Sequence, residues 1–501
     1  MASESRLAVI DCGSNSFRLV VFTYTDSWWK RTDEIHESVR VGEGLEATGA
    51  LGEAPMERAL ETLELYAHFC MATGRIAVIP VATSAIRDAS NQSEFLQRAL
   101  ERSGLEVEVL AGEAEARYGY LAAINSTTLS QGVVLDLGGG SMQLTRVEER
   151  EAIDARSWPL GAVRMTERFL PDPDRAKRKQ IKALREHVAA EIDAAPWVGE
   201  GGRLTGIGGT VRNLAAAAQL AAGLPSYGIQ GFRITRAALG ELIERFAELP
   251  APERADVPGI KAARADLILA GALVVDTVME AGGFGVLEAT DAGLREGVFF
   301  ESLFGDPPLV FDVREATVRN LAAQYGTDFA HAEHVVRLAL ELWDGLAAAG
   351  VHRGDPKERE LLWAAAMLHD IGTAVDYDDH HKHSRYLLLS AGMPGYSPRE
   401  VGLIGQAVRY HRKGNPGLGE FSAVAREGDE ELLTRIAAAV RIAEQLERSR
   451  DQAVHACDVR VQDGRVDLYL HASEDVTIAR WATERQADVF HKAFGRTLSV
   501  S

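Results

Sequence analysis

The stretch Val133-Val134-Leu135-Asp136-Leu137-Gly138-Gly139-Gly140-Ser141 constrains this chain more than any other. Val-Val-Leu reads as a buried strand, because β-branched and aliphatic side chains fit a packed, pleated surface. Three successive glycines suit neither a strand interior nor a helix. They let the backbone turn tightly and approach a ligand closely. Exposed N–H groups on such a turn form an anion nest that suits phosphate. Asp136, at the strand end beside it, is placed to hold a Mg²⁺ that a phosphate would bring. A plain tight turn would also explain the glycines, so the stretch alone leaves both readings open.

The same plan occurs earlier. Leu7-Ala8-Val9-Ile10 is a strand, Asp11-Cys12-Gly13-Ser14-Asn15-Ser16 a turn, and Phe17 to Thr23 a second strand. Two such Asp-x-Gly hairpins predict two similar halves that offer phosphate loops to one cleft. A third strand-to-glycine turn, Arg203-Leu204-Thr205-Gly206-Ile207-Gly208-Gly209-Thr210, enters a helix, whose N-terminus presents free N–H groups to an anion. Between the hairpins, helices over 54–73 and 91–103 alternate with strands over 75–82 and 107–110. That alternation predicts an α/β domain. A helix over 264–280 and a strand over 285–289 continue it.

The 501 residues imply several domains, and 46% hydrophobic with 25% charged residues is an ordinary globular composition. The net charge of −19 argues against nucleic acid or an anionic membrane as partner. One run is locally basic, with Arg175, Lys177, Arg178, Lys179, Lys182 and Arg185 and no acid among them. It is either a solvated helix face or a local basic channel. Three cysteines make neither a disulfide framework nor a zinc pattern, which fits a reducing cytoplasm. The polar start shows no signal peptide, and no apolar run approaches the ~20 residues of a membrane span.

These residues carry a resemblance. Ile10-Asp11-Cys12-Gly13-Ser14-Asn15-Ser16-Phe17-Arg18, Glu115-Ala116-Arg117 and Asp136-Leu137-Gly138-Gly139-Gly140-Ser141 are similar to the exopolyphosphatase/guanosine pentaphosphate phosphohydrolase family. So are Leu160-Gly161-Ala162-Val163-Arg164, Gly206-Ile207-Gly208-Gly209-Thr210 and Gly293-Leu294-Arg295-Glu296-Gly297, in the family's order. The resemblance implies an α/β fold of two ribonuclease-H-like domains of the actin/Hsp70 superfamily around a cleft, then an all-α HD-like domain and a small α+β cap. The expected division is 1–125, 126–305, 306–450 and 451–501.

It also implies Mg²⁺-assisted release of terminal orthophosphate from inorganic polyphosphate, by a cytoplasmic homodimer. Guanosine pentaphosphate in the same cleft is the alternative substrate; a non-catalytic nucleotide-binding regulator is the rival of another class. Glu115 is similar to the catalytic glutamate that activates water, with Glu113 two residues away as the other candidate. Asp136 and Asp11 would hold Mg²⁺, or Mn²⁺ in its place. Gly13, Ser14, Asn15, Gly138, Gly139, Gly140, Ser141, Gly208, Gly209 and Thr210 would cradle phosphates, and Arg87 would reach the chain end. Gln143 stands where the family has Glu, which puts the number of metal ions in question.

Beyond Gly305-Asp306-Pro307-Pro308 the pattern turns helical. His369-Asp370, with His334 upstream and Glu444 downstream, resembles the HD phosphohydrolase pattern, and His383 and His411 would extend it to two metals. Imidazole and carboxylate ligands suit Mn²⁺, Fe²⁺ or Zn²⁺. The last domain reads as a hairpin over 459–470, with Asp463-Gly464 at a type I′ turn, and one helix over 474–493.

Overall fold

The computed structural model describes residues 4–74, 76–224 and 228–501. It forms two compact units, Met1–Val313 and Arg314–Ser501. Among the described residues no helix is long and apolar enough to cross a membrane.

The first unit holds two sheets built on one plan. The first comprises β1 (Ser5–Cys12), β2 (Phe17–Tyr24), β3 (Trp29–Glu37), β4 (Ala77–Ala82) and β5 (Glu108–Val109), in the order β3-β2-β1-β4-β5. β1 and β2 pair antiparallel, and β1 and β4 pair parallel. The second comprises β6 (Gly132–Leu137), β7 (Met142–Glu148), β8 (Glu151–Trp158), β9 (Arg203–Ile207), β10 (Arg233–Thr235) and β11 (Val286–Ala289). Its order is β10-β11-β9-β6-β7-β8, with β6 and β7 antiparallel and β6 and β9 parallel. The β8-β7-β6-β9-β11 part repeats the first sheet strand for strand, and β10 is an added edge. The two halves are ribonuclease-H-like, as the duplicated hairpins predict.

Most expected elements form within a few residues of their places, as Glu53–Ala72 and Gln92–Ser103 do. The strand expected over 75–82 is Ala77–Ala82, with Arg75 outside the described residues. One expectation is corrected. The helix expected from 264 begins at Ile268, and it is buried along its whole length from Ile268 to Met279. Residues 157–164 form the end of β8 and the start of a helix, Ala162–Phe169, ahead of the basic helix Arg178–Ile192.

Two helices fix the site. Gly112–Ile124 and Leu294–Leu303 pack against each other, and Phe299 of the second stacks on Phe22 of β2 with ring centroids 4.1 Å apart. They approach tightly at Gly297, where a Cβ would lie 2.0 Å from the Tyr118 carbonyl oxygen. Gly297→Ala is therefore expected to cost about 1–3 kcal/mol by overpacking. Thermal unfolding checks this; an unchanged melting temperature would show that the helices can separate freely.

The second unit places helices Phe329–Ala348, Pro356–Leu368, His380–Ala391, Pro398–Tyr410 and Asp429–Leu446 beside a sheet ordered β12 (Val454–Gln462), β13 (Arg465–Ala472), β14 (Thr497–Val500). Asp463 and Gly464 have φ of 50° and 80°, as a type I′ turn requires. The single helix expected over 474–493 is two, Thr477–Glu484 and Ala487–Phe494. Leu468 and Phe490 share one buried cluster with Trp343, so the core runs through the division expected at residue 450.

Candidate active site

The sheet plan puts one acid at the end of each central strand. Asp11 pairs across β1 and β2 with Arg18, and Asp136 pairs across β6 and β7 with Gln143. The turns that follow them touch. A Cβ on Gly139 would lie 3.0 Å from the Ser14 Cβ, and one on Gly140 would lie 2.5 Å from the Ser84 hydroxyl. The glycines are thus demanded by the approach of the two jaws. None of Gly13, Gly138, Gly139 and Gly140 has a positive φ, so the N–H groups of the expected anion nest are presented without a left-handed glycine. Among the described residues, the N–H groups of Gly13, Ser14, Asn15 and Gly139 meet no protein acceptor, whereas Gly140, also expected on the phosphate, faces Gly42, Ala85 and Val163 and does not line the cleft.

One cleft is lined by Asp11, Gly13, Ser14, Asn15, Glu115 and Asp136, and also by Gly138, Gly139, Gly208 and Gly209. Other expected residues lie behind it. Thr210 is buried against Gly271, where a Cβ would come within 2.5 Å of its methyl carbon. Ser141 and Arg87 serve Glu115 instead of the cleft. Arg87 Nη1 donates to Glu115 Oε2 at 2.9 Å and to the Leu110 carbonyl at 3.0 Å. Ser141 Oγ donates to Glu115 Oε1 at 3.1 Å. Gln143 Nε2 in turn donates to Ser141 Oγ at 2.9 Å and to Ser157 Oγ at 3.0 Å. Glu115, in the first turn of its helix, is 5% exposed and faces the cleft, whereas Glu113 is exposed and does not line it.

Four arginines complete the lining: Arg18, Arg212, Arg264 and Arg295. None was singled out as a site residue from the sequence. Arg18 and Arg295 lie inside recognisable motifs, and Arg212 sits in the first turn after Gly208-Gly209, so a search for cations beside each glycine turn would have found three. Arg264 leaves no such signal. Arg295 is 4% exposed, and its Nε and Nη1 have no hydrogen-bond partner.

Burial holds Arg18 and Arg264 down to about 10, and neighbouring arginines push the same way. Burial raises the Glu115 carboxyl, against the opposing pull of Arg87 and Ser141. Burial likewise raises Asp11, against Arg295, Arg18 and Arg212. Asp136 is held up to about 7 by burial, then by Glu115 and Asp11. Buried like charges of both signs suit a cation and a polyanion. The oxygen donors of Asp136 and Asp11 suit a hard cation. These acids and Glu115 do not form a tight triad: among the described residues, groups of three such side chains with ligand atoms within 4.8 Å occur only in the second unit.

In the second unit, His369, Asp370, His411 and Glu444 converge as expected, but His334 and His383 do not join them. His331 and His380 take their places. His334 Nε2 instead meets the Val454 carbonyl at 2.9 Å. Each substitution is a shift of three residues along a helix. Positions three apart are neighbours on a helix surface, so spacing alone does not say which of the two faces the centre.

A family model described as the Ppx/GppA phosphatase family matches residues 21–304, and one described as Ppx/GppA phosphatase, domain III, matches residues 313–484. Among solved structures, the chain is similar to a Ppx/GppA family member from Aquifex aeolicus at 31% identity, over 59% of this chain and 97% of that one, with a TM-score of 0.51. It is similar to an exopolyphosphatase-like protein at 28% identity, over 59% of this chain and 96% of that one, with a TM-score of 0.53. An exopolyphosphatase from Cytophaga hutchinsonii shares the fold at 22% identity, over 60% of this chain and 98% of that one, with a TM-score of 0.55.

Proposed function

The chain belongs to the Ppx/GppA phosphatase family, hydrolases of phosphoanhydride bonds, and within it we propose an exopolyphosphatase that releases terminal orthophosphate from inorganic polyphosphate. One observation carries the choice over guanosine pentaphosphate. Among the described residues the cleft is lined by glycines, hydroxyls, acids and arginines with Asn15, Leu137 and Leu294, and by no aromatic ring on which a base could stack. The reading extends to a homodimer working in the cytoplasm.

The chemistry follows from the residues. Glu115 orients a water and takes its proton as the water attacks the terminal phosphorus. Arg87 and Ser141 hold both its oxygens in place and favour the ionised form that a base needs. The free N–H groups of the two turns grip the phosphoryl oxygens, and Arg295, Arg212, Arg264 and Arg18 offset the charge of the chain. The shortened polyphosphate leaves as its own anion. Mg²⁺ at Asp136 and Asp11 would neutralise charge on the bridging and terminal oxygens.

Phosphate release from polyphosphate and from guanosine pentaphosphate, measured side by side, tests this. Faster turnover of the nucleotide would replace the reading, and turnover of neither would leave a binding protein. A pH effect accompanies it. With Asp136 held up to about 7, a cation must displace a proton below that pH. The Mg²⁺ concentration giving half-maximal rate should therefore rise as pH falls, by up to about tenfold per unit below 7, and level off above it. Metal titrations at pH values on both sides of 7 check the sign; a requirement that does not vary would remove Asp136 from the metal site.

A further inference from the structure

We infer that Arg164 and Asp88 are positioning residues for the hydrolysis: they tie the two halves of the first unit together beside the cleft and, through Arg87, hold Glu115 in place. The inference rests on the reading of Glu115 as the base.

Leu160-Gly161-Ala162-Val163-Arg164 lines no part of the cleft. It leads into the helix Ala162–Phe169, which follows β8 in the second half. The start of that helix is fastened to the glycine turn. Ala162 N–H donates to the Gly138 carbonyl at 3.0 Å, and Val163 N–H donates to the Gly139 carbonyl at 2.8 Å. A Cβ on Gly161 would lie 2.3 Å from the Gly139 carbonyl oxygen, so only glycine fits there. Arg164 adds a side-chain tie, its Nε donating to the Gly140 carbonyl at 3.2 Å. The guanidinium therefore moves with the turn that offers Gly139 N–H to the cleft.

The other donors of Arg164 reach the first half. Nη2 donates to Asp88 Oδ2 at 2.7 Å, and Nη1 donates to Glu46 Oε2 at 3.2 Å. Glu46 follows β3 and Asp88 follows β4, so both belong to the first half. Three residues along the same helix, Glu167 Oε1 accepts from Gly44 N–H at 3.3 Å. One planar cation with a fixed fork of donors thus joins acceptors from both halves. At 19% exposed, it is partly shielded from the water that weakens surface ion pairs. Asp88 passes the constraint to the base. Its Oδ1 lies 3.4 Å from Arg87 Nε, while Arg87 Nη1 holds Glu115 Oε2 at 2.9 Å. Each Asp88 oxygen therefore serves one arginine. Without Arg164, Asp88 keeps Arg87 as its one ion-pair partner among the described residues, which draws that guanidinium away from Glu115. A general base works only at the distance and angle that suit the attacking water.

The test compares Arg164→Met, Asp88→Asn and Arg87→Met, singly and in pairs, in the full chain with polyphosphate and with guanosine pentaphosphate. Arg164→Met and Asp88→Asn should each lower kcat by about 10–100-fold, the range for misplaced reacting groups. In the Arg87→Met background, adding Asp88→Asn should change kcat by less than about twofold, because the link to Glu115 is already cut. Arg168→Met, from the exposed side of the same helix, should match wild type. Hydrogen–deuterium exchange reads the tie without turnover: residues 138–142 and 162–169 should exchange faster in Arg164→Met than in wild type. Circular dichroism confirms that each variant is folded. Losses that add in full in the Arg87→Met background would overturn the path through Asp88, as would losses confined to KM. Exchange equal to wild type would overturn the tie. If wild type turns over neither substrate, the phosphatase reading and the role toward Glu115 fail together, and exchange decides the tie separately.

Discussion

Glu115→Gln lowers phosphate release by about 10²–10⁴-fold, the range a positioned general base supplies. The amide keeps the size of the side chain and can still accept from Arg87 or Ser141, so the fold and the cleft are retained. It cannot take a proton from water. The loss should fall on kcat, with KM nearly unchanged, because the arginines and turn N–H groups that bind polyphosphate are untouched. Steady-state phosphate release on both enzymes checks this. A variant within a few-fold of wild type would remove Glu115 from the chemistry, and a change confined to KM would make it a binding group. Glu113→Gln serves as the control, since Glu113 lies outside the cleft lining.

Arg87→Met acts on the same proton from the other side. Burial is the largest influence on Glu115 and raises its carboxyl; Arg87 opposes that rise. Without Arg87 the carboxyl rises further, so Glu115 holds its proton to higher pH and the acid limb of kcat/KM moves upward. Activity at neutral pH falls and is partly recovered on the alkaline side. Stability follows with its own sign. An ionised Glu115 left unpaired in a buried site costs about 3 kcal/mol, the low end for a broken buried pair because Arg87 keeps some solvent contact. That cost is present above the raised carboxyl range and shrinks as pH falls and Glu115 takes up a proton. Denaturant melts at several pH values, read beside the rate profile, check both. An unshifted acid limb would show that Arg87 does not tune the base, and a stability loss that grew toward low pH would contradict the sign.

Much of the cleft was legible because its parts are local. A strand, an acid and a glycine turn are contiguous, so Asp11 and Asp136 announce themselves, and their repetition announces two halves. What the glycines are for was not legible. The run at 138–140 suggested a turn open to an anion; its glycines take no left-handed conformation, and their missing side chains make room for Ser14 and Ser84. Arg87 and Ser141 were expected on the phosphate and are found on Glu115. Gln143, noted as a departure from the family, sits 1% exposed behind Ser141, where its amide nitrogen donates to that hydroxyl. With that position taken by a donor, the Ser141 proton is directed to Glu115.

The chain by itself determined the α/β class, the duplicated hairpins, the acids at the strand ends and the type I′ turn at Asp463-Gly464. Each depends on residues adjacent in sequence, where backbone preference and hydrophobic period act directly. Tertiary structure decided everything that depends on which side chain faces inward across a distance. It brought Arg18, Arg212, Arg264 and Arg295 from four segments to one cleft. It chose His331 and His380 over His334 and His383, three residues away on the same helices. The physical reason is common to both. A helix offers neighbouring positions almost equally to its surroundings, and only the packing of other elements against it fixes which of them is turned to the centre.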